Sequence, residues 1–295
     1  MKNYRKHSNQ ARKRGKTLPP KSAANPEFEP FLSGPEAPSL QAILNEGRDY
    51  TVKKQHPWIF SGAIRAIKGD PAPGAPITVL SANGEFLATG HYSGEGSIAI
   101  KVLSLENEPI NADFFAKRLR SALKLREALG LTHSTETTAY RLVNGEGDFL
   151  PGMIIDLYNS TAVMQCQSPG MRLDRPHIVS ALKETLGRKL TAICDRTEDT
   201  KNSDEEEQKP EEAKYLYGKR EESIVSENNI RFDIDWEKGQ KTGFFLDQRI
   251  NRSLVGAHSA GKEVLNAFCY TGGFSLYALA GGAKSVCSID SSRSA

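Results

Sequence analysis

The sequence predicts a multidomain α/β and α+β chain: a small β-barrel, a central α+β domain and the opening of a parallel sheet. Three observations predict it. Short β-prone runs broken by Gly and Pro cluster from about Gln41 to Glu108, the pattern of a small all-β unit. Helix and strand patterns then follow one another from about residue 111 to residue 234. A strand, a glycine turn, a helix and a second strand occupy Val264–Asp290, which is one βαβ unit. A length of 295 residues leaves room for two or three domains.

Residues 1–40 come first and read as a disordered basic tail. They hold eight Lys/Arg against three acids, a net of +5, which leaves −2 for the rest. With few large apolar residues the tail cannot offset its ordering entropy. Such an arm suits phosphate backbones through counterion release, or simply aids solubility. No apolar core follows the basic start, so no signal peptide is read there. No apolar run approaches the ~18 residues of a membrane span. Cys166, Cys194, Cys269 and Cys287 form no C-x-x-C pair. That argues against structural zinc and a disulfide framework, and for a reducing, cytoplasmic setting.

In the barrel region, Ile77–Leu80 and Glu85–Thr89 flank Asn83-Gly84, a strong hairpin signal. Ser97–Val102 is a further strand. The spacing predicts a helix over 113–129, with Asp113 as N-cap and Gly130 as stop. Phe114, Phe115, Leu119, Ala122, Leu123 and Leu129 recur on its core face, and Lys117, Arg118, Arg120, Lys124 and Arg126 on a solvated one. Strands are read at Gly152–Tyr158 and Thr161–Gln165. A second helix carries Ile178, Val179, Leu182 and Leu186, with Asp174 as its cap and Gly187 at its end. Residues 198–212 are an acidic low-complexity loop, and strand character resumes at Ile224-Val225 and Ile230–Ile234. Asp247 is a candidate cap for a helix whose apolar positions are Ile250, Leu254 and Val255.

The chemistry lies in the last segment. Val264–Phe268 reads as a buried strand, Thr271-Gly272-Gly273 as a tight turn, Ser275–Ala280 as a helix ended by Gly281-Gly282, and Lys284–Ile289 as the second strand. Glycines let a backbone approach a ligand, and a helix N-terminus offers free N–H groups. Asp290 stands 18 residues after Gly272, close to the roughly 20 that separate a glycine turn from a ribose-binding carboxylate. The loop lacks G-x-G-x-x-G, which weighs against a pyrophosphate ligand and a nicotinamide-dependent oxidoreductase. S-adenosylmethionine, without phosphate, needs no second close-approach glycine.

Four segments in order, His56–Ile64 (HPWIFSGAI), Thr138–Tyr158 (TAYRLVNGEGDFLPGMIIDLY), GQKTGFFLDQRINR ending at Arg252, and VLNAFCYTGGFSLYALAGGA from Val264, resemble bacterial 23S ribosomal RNA (cytosine-C5) methyltransferases. The resemblance covers roughly residues 41–295. It implies a PUA-like RNA-binding domain over 41–110 and a central α+β domain over 111–230. It also implies the N-terminal part of a Rossmann-like, class I S-adenosylmethionine-dependent methyltransferase domain over 231–295. It places the cofactor on Phe245, Gln248, Arg249, Ala267, Tyr270, Thr271, Gly272, Gly273, Phe274 and Asp290. The partner it implies is large-subunit ribosomal RNA, with no membrane and no metal; a homodimer is compatible with it. The family pattern continues beyond Ala295 to a nucleophilic Cys, so no catalytic residue is expected among these 295. The alternatives are an RNA-binding protein without catalysis and a relative of the guanine-N7 enzymes.

Overall fold

The computed structural model describes residues 40–94, 96–197, 214–220 and 222–292. The basic tail and the acidic 198–212 segment therefore lie outside the described residues.

Strand β1 (Gln41–Leu44) opens the first unit. Helix α1 (Tyr50–Lys53) leads to β2 (Trp58–Phe60), β3 (Ile64–Lys68), β4 (Pro76–Leu80), β5 (Phe86–Tyr92) and β6 (Ile98–Ser104). They form one sheet in the order β2-β6-β5-β4-β1-β3. Laid flat, its outer strands would stand ~24 Å apart at ~4.8 Å per step. Yet β2 and β3, those outer strands, are joined only by the 3-10 turn Ser61–Ala63. Three residues in such a turn advance the chain by only ~6 Å, so the sheet is rolled into a barrel. Ala42, Ile59, Ile77, Val79, Ala88 and Ile100 fill it. The Asn83-Gly84 hairpin stands as expected: Ser81 Oγ accepts from the Asn83 and Glu85 amides.

Helix α2 (Ala112–Ala128) follows. Its N-cap is Asn111, whose side chain accepts from the Phe114 amide at 3.0 Å; Asp113 instead lies inside the first turn. Two faces also differ from expectation. Leu129 is exposed, because the helix ends before it. Arg126, expected in solvent, is buried and grips Asp148 with both terminal guanidinium nitrogens.

A five-stranded sheet comes next: β7 (Ala139–Asn144), β8 (Met153–Tyr158), β9 (Thr161–Cys166), β10 (Ala192–Asp195) and β11 (Lys214–Tyr217), in the order β11-β10-β9-β8-β7. Helices α3 (Pro169–Leu173) and α4 (Arg175–Leu186) sit between β9 and β10, which run parallel and so need a crossover. Strand β7 has no counterpart in the expectations. Asp174 precedes α4 without capping it through its side chain; its carboxylate lies 2.9 Å from His91 Nε2 on the barrel. Alternation with period two sorts the sheet's residues. Met153, Ile155, Leu157, Ala162 and Met164 face α2 and α4. Tyr158, Val163 and Cys194 face the opposite layer.

That layer begins with the hairpin β12 (Ile224–Glu227) and β13 (Ile230–Asp233). Its corner, Asn228-Asn229, has positive φ at both residues, the signature of a twist-matched two-residue turn. Helix α5 (Arg249–Ala257), strand β14 (Glu263–Ala267), helix α6 (Gly273–Ala280) and strand β15 (Ser285–Ile289) complete the chain. Strands β14 and β15 pair in parallel, so the βαβ unit forms as read. A third core joins Ala139, Tyr158 and Val163 to Phe232, Trp236, Phe244 and Tyr277, packing together residues from both sides of position 230.

Three expectations fail here. Strand β14 is not buried: Leu265 is 65% exposed, since β15 is its only strand neighbour among the described residues. Phe268, Leu279 and Ile289 are exposed as well, as a two-stranded sheet with one covering helix requires. Helix α5 turns Ile250 and Leu254 outward and buries Arg252 and Gly256. An added Cβ at Gly256 would lie 2.9 Å from the Tyr277 carbonyl oxygen, so α5 docks on α6 through a glycine contact. Asp247 does not cap α5; the N-cap is Gln248, whose side chain makes no capping bond.

Candidate cofactor site

The loop between β14 and α6 shapes the site. Phe268, Tyr270 and Gly272 all have positive φ, so the backbone reverses at alternate residues. This conformation is unfavourable for Phe and Tyr but free for Gly. An added Cβ at Gly272 would meet nothing within 4 Å, so the turn faces open space. Beyond it the first amides of α6 begin without a side-chain cap, leaving donors available.

Asp290 closes the loop. Its Oδ2 accepts from the Tyr270 amide and its Oδ1 from the Ser292 amide, each at 2.8 Å. The Ser292 and Tyr270 backbone bonds hold its carboxyl below the ordinary range. It is therefore an anion at neutral pH. Each oxygen keeps acceptor capacity for a ligand hydroxyl.

Tyr270 carries the loop across to the upstream motif. Its hydroxyl accepts from the Gln240 amide at 3.0 Å and donates to the Gly243 carbonyl at 3.3 Å. Its ring meets Phe245 edge-on, with centroids 5.3 Å apart. Lys241 Nζ stands 4.4 Å from the Phe245 ring centre. The two adjacent phenylalanines thus part company: Phe245 borders the site, whereas Phe244 is buried against Phe232 at 4.9 Å. Gly243, at φ +110, makes the turn that precedes them; a Cβ there would lie 2.7 Å from Trp236 Cα.

Of the ten expected site residues, the structure links Phe245, Tyr270 and Asp290 directly, and Thr271, Gly272, Gly273 and Phe274 follow on the same loop and helix start. Ala267 ends β14 beside them. Gln248 and Arg249 stand at the start of α5. The Gln248 side chain donates through Nε2 to Asp247 and accepts at Oε1 from the Asn251 side chain. Burial raises the Asp247 carboxyl, but the Gln248 bond and the nearby Lys241 and Arg141 charges outweigh it, and the net shift is downward.

The expectations missed the group that holds these pieces together. Arg252, 2% exposed, donates to both Glu227 oxygens at 2.8 and 2.7 Å and to the Phe245 carbonyl at 3.1 Å. Tyr277 donates to Glu227 at 3.0 Å. The Arg252 Cδ lies 3.1 Å from where a Gly273 Cβ would be. A second buried network anchors the upstream motif to the central sheet. Thr242 donates to Asp156 at 2.6 Å, and Tyr158 donates to Thr242 at 3.1 Å. Asp156 also takes Arg141 at 2.8 and 3.0 Å. The only trace of either network in the sequence is a charged residue inside an apolar pattern.

The cysteines divide by environment. Burial pushes the Cys166 thiol up to about 11 and Cys194 up to about 12, so neither forms a thiolate near neutrality. Cys269 lies in the loop, its thiol directed to the Tyr270 carbonyl, and Cys287 is exposed. Among the described residues no cluster of three or more His, Cys, Asp or Glu could hold a metal, and no helix is long and apolar enough to cross a membrane.

A glycine turn, an open helix start and an anchored carboxylate after the second strand make up a candidate nucleoside-cofactor site. Residues 167–295 match the S-adenosylmethionine-dependent methyltransferase family model, and residues 42–105 match the PUA-like domain model. The chain is similar to the ribosomal RNA large subunit methyltransferase I of Tolumonas auensis, 39% identical over 261 residues, which are 87% of this chain and 64% of that protein. It is likewise similar to the protein of that name from Vibrio parahaemolyticus, 40% identical over 258 residues, 85% of this chain and 62% of that one. The chain thus spans under two thirds of the length of these relatives. Its fold matches a putative S-adenosylmethionine-dependent methyltransferase from Streptococcus mutans, with TM-score 0.71 and 25% identity over 86% of this chain and 64% of that one. It also matches the fold of a putative methyltransferase solved with S-adenosylhomocysteine, with TM-score 0.72 and 24% identity over 86% and 63%.

Proposed function

We propose that this chain binds S-adenosylmethionine at the loop after β14 and serves methylation of large-subunit ribosomal RNA at cytosine C5. The observation that carries the reading is the Asp290 carboxylate, fixed by two backbone amides beside an open glycine turn. In this reading Asp290 accepts the ribose hydroxyls, and Gly272 and Gly273 admit the ligand against the backbone. Phe245 and Tyr270 wall the site, with Ala267, Thr271 and Phe274 completing the loop side. Gln248 and Arg249 supply polar contacts from α5. The cofactor, when bound, supplies an electrophilic methyl group on a sulfonium. Residues 41–110 form the RNA-binding unit, 111–230 the central domain and 231–295 the cofactor unit.

Methyl transfer to C5 needs a thiolate that adds at C6, since C5 alone is a weak nucleophile. Cys166 and Cys194 are excluded by burial, and Cys269 and Cys287 belong to the loop and strand of the cofactor unit. The reading therefore places the nucleophile on none of these four. The test is incubation of a protein that carries these residues together with a nucleophilic Cys, using methyl-labelled S-adenosylmethionine and undermethylated large-subunit RNA, followed by digestion to nucleosides. Label in 5-methylcytidine is the expected result. Label in 7-methylguanosine would redirect the reading to the guanine-N7 enzymes, and no label with intact RNA binding would favour binding without catalysis.

A further inference from the structure

A second cleft, of about 280 Å³, opens where the barrel meets α2 and the loop after β7, walled by Gln55, Leu105, Lys117, Arg118 and Phe149. It lies just under the ~300–1,000 Å³ of sites for drug-sized ligands, so it suits one flat ring system. Two of its residues hold left-handed backbone without being glycine, Gln55 at φ +61 and Phe149 at φ +57. Conformations of this kind persist where surrounding structure enforces them, often at ligand sites. Here the enforcement is visible. Asp148 is locked by Arg126 and by the Asn144 amide, and Glu146 accepts from Trp58 Nε1 at 2.8 Å across the domain junction. Phe149 nevertheless stands 55% exposed.

Arg118 supplies the polar half. Its guanidinium lies over the Phe114 ring at 5.2 Å and the Phe149 ring at 5.6 Å. Nη2 donates to the Leu103 carbonyl at 2.8 Å, while Nε has no hydrogen-bond partner among the described residues. Lys117 is occupied by Glu106 and Glu108 at 3.3 and 3.5 Å. Those two carboxylates offset the Lys117 and Arg118 charges, so the cleft has no net positive charge to draw a phosphate and suits an uncharged ring.

We propose that this cleft takes an unpaired RNA nucleobase, stacked on Phe149 with an acceptor edge toward Arg118. The proposal rests on the RNA-substrate reading above and adds a base-recognition site to it. Aromatic stacking on single-stranded bases is sequence-tolerant and strong enough to measure.

The test is fluorescence anisotropy of a labelled single-stranded oligoadenylate with the whole chain at low salt. Phe149→Gly is expected to bind about tenfold more weakly with no fall in Tm, because glycine adopts the left-handed backbone freely. Arg118→Lys, which keeps the charge but not the planar fork, is expected to weaken binding as well. On a strand of abasic sugars, wild type and Phe149→Gly are expected to bind alike. Unchanged oligoadenylate affinity in Phe149→Gly overturns the base site while RNA binding by the chain stands. An equal loss on the abasic strand, or a fall in Tm that tracks the lost affinity, overturns it too. Failure of the wild-type chain to bind any RNA removes the substrate reading itself, and this site with it.

Discussion

Arg252 and Glu227 show how much of the site rests on one buried ion pair. Their side chains are 3% and 1% exposed, and Arg252 also lies 4.4 Å from the Phe244 ring centre. Removing one partner of such a pair strands the other charge. Glu227→Ala is expected to destabilise the chain by ~3–5 kcal/mol, read from urea unfolding at pH 7; a loss under ~1 kcal/mol would show the pair is dispensable. The thiols give a second residue-level check. Since burial raises Cys166 to about 11 and Cys194 to about 12, both stay neutral at pH 8. Cys287 should react with a disulfide reagent first and Cys269 after it, with Cys166 and Cys194 reacting only in denaturant. Early labelling of Cys194 would contradict the packing of the sheet. Asp290 was legible in the sequence because turn, helix and strand are contiguous. Arg252 was not, because its partner lies on a hairpin 25 residues earlier and no periodicity encodes that meeting.

Local chemistry made some elements legible and tertiary packing hid others. The Asn83-Gly84 hairpin and the βαβ unit carry their signals within a few residues. Strand β7 does not: its register shifts between Arg141 and Val143, and that irregularity breaks the period-two pattern. Helix α5 does not follow its apolar positions, because an ion pair and a glycine contact set its orientation. The cap of α2 was misplaced by two residues, since Asn111 and Asp113 are both good caps and only geometry chooses. Asn111→Ala is expected to cost ~1 kcal/mol, and Asp113→Ala only a few tenths through the helix dipole. Thermal unfolding of the two variants separates them, and the reverse ranking would return the cap to Asp113.

Three cores organise the described residues, and the site depends on the third. That core fixes the hairpin, Trp236 and Phe244 against the central sheet. The Thr242–Asp156 bond then sets the upstream motif beside a loop that follows it by nearly thirty positions, where Tyr270 bonds Gly243. The barrel's closure and its bond from Trp58 to Glu146 make the other end a continuous surface with the central domain. The central claim is that the Asp290 loop is a cofactor site. Calorimetric titration of S-adenosylhomocysteine into the chain tests it most directly, comparing wild type with Asp290→Ala. Saturable binding by the wild type is expected, weakened ~tenfold or more in the variant, as befits loss of hydrogen bonds to a charged group. Absence of binding by the wild type, or equal affinity in the variant, would contradict the account.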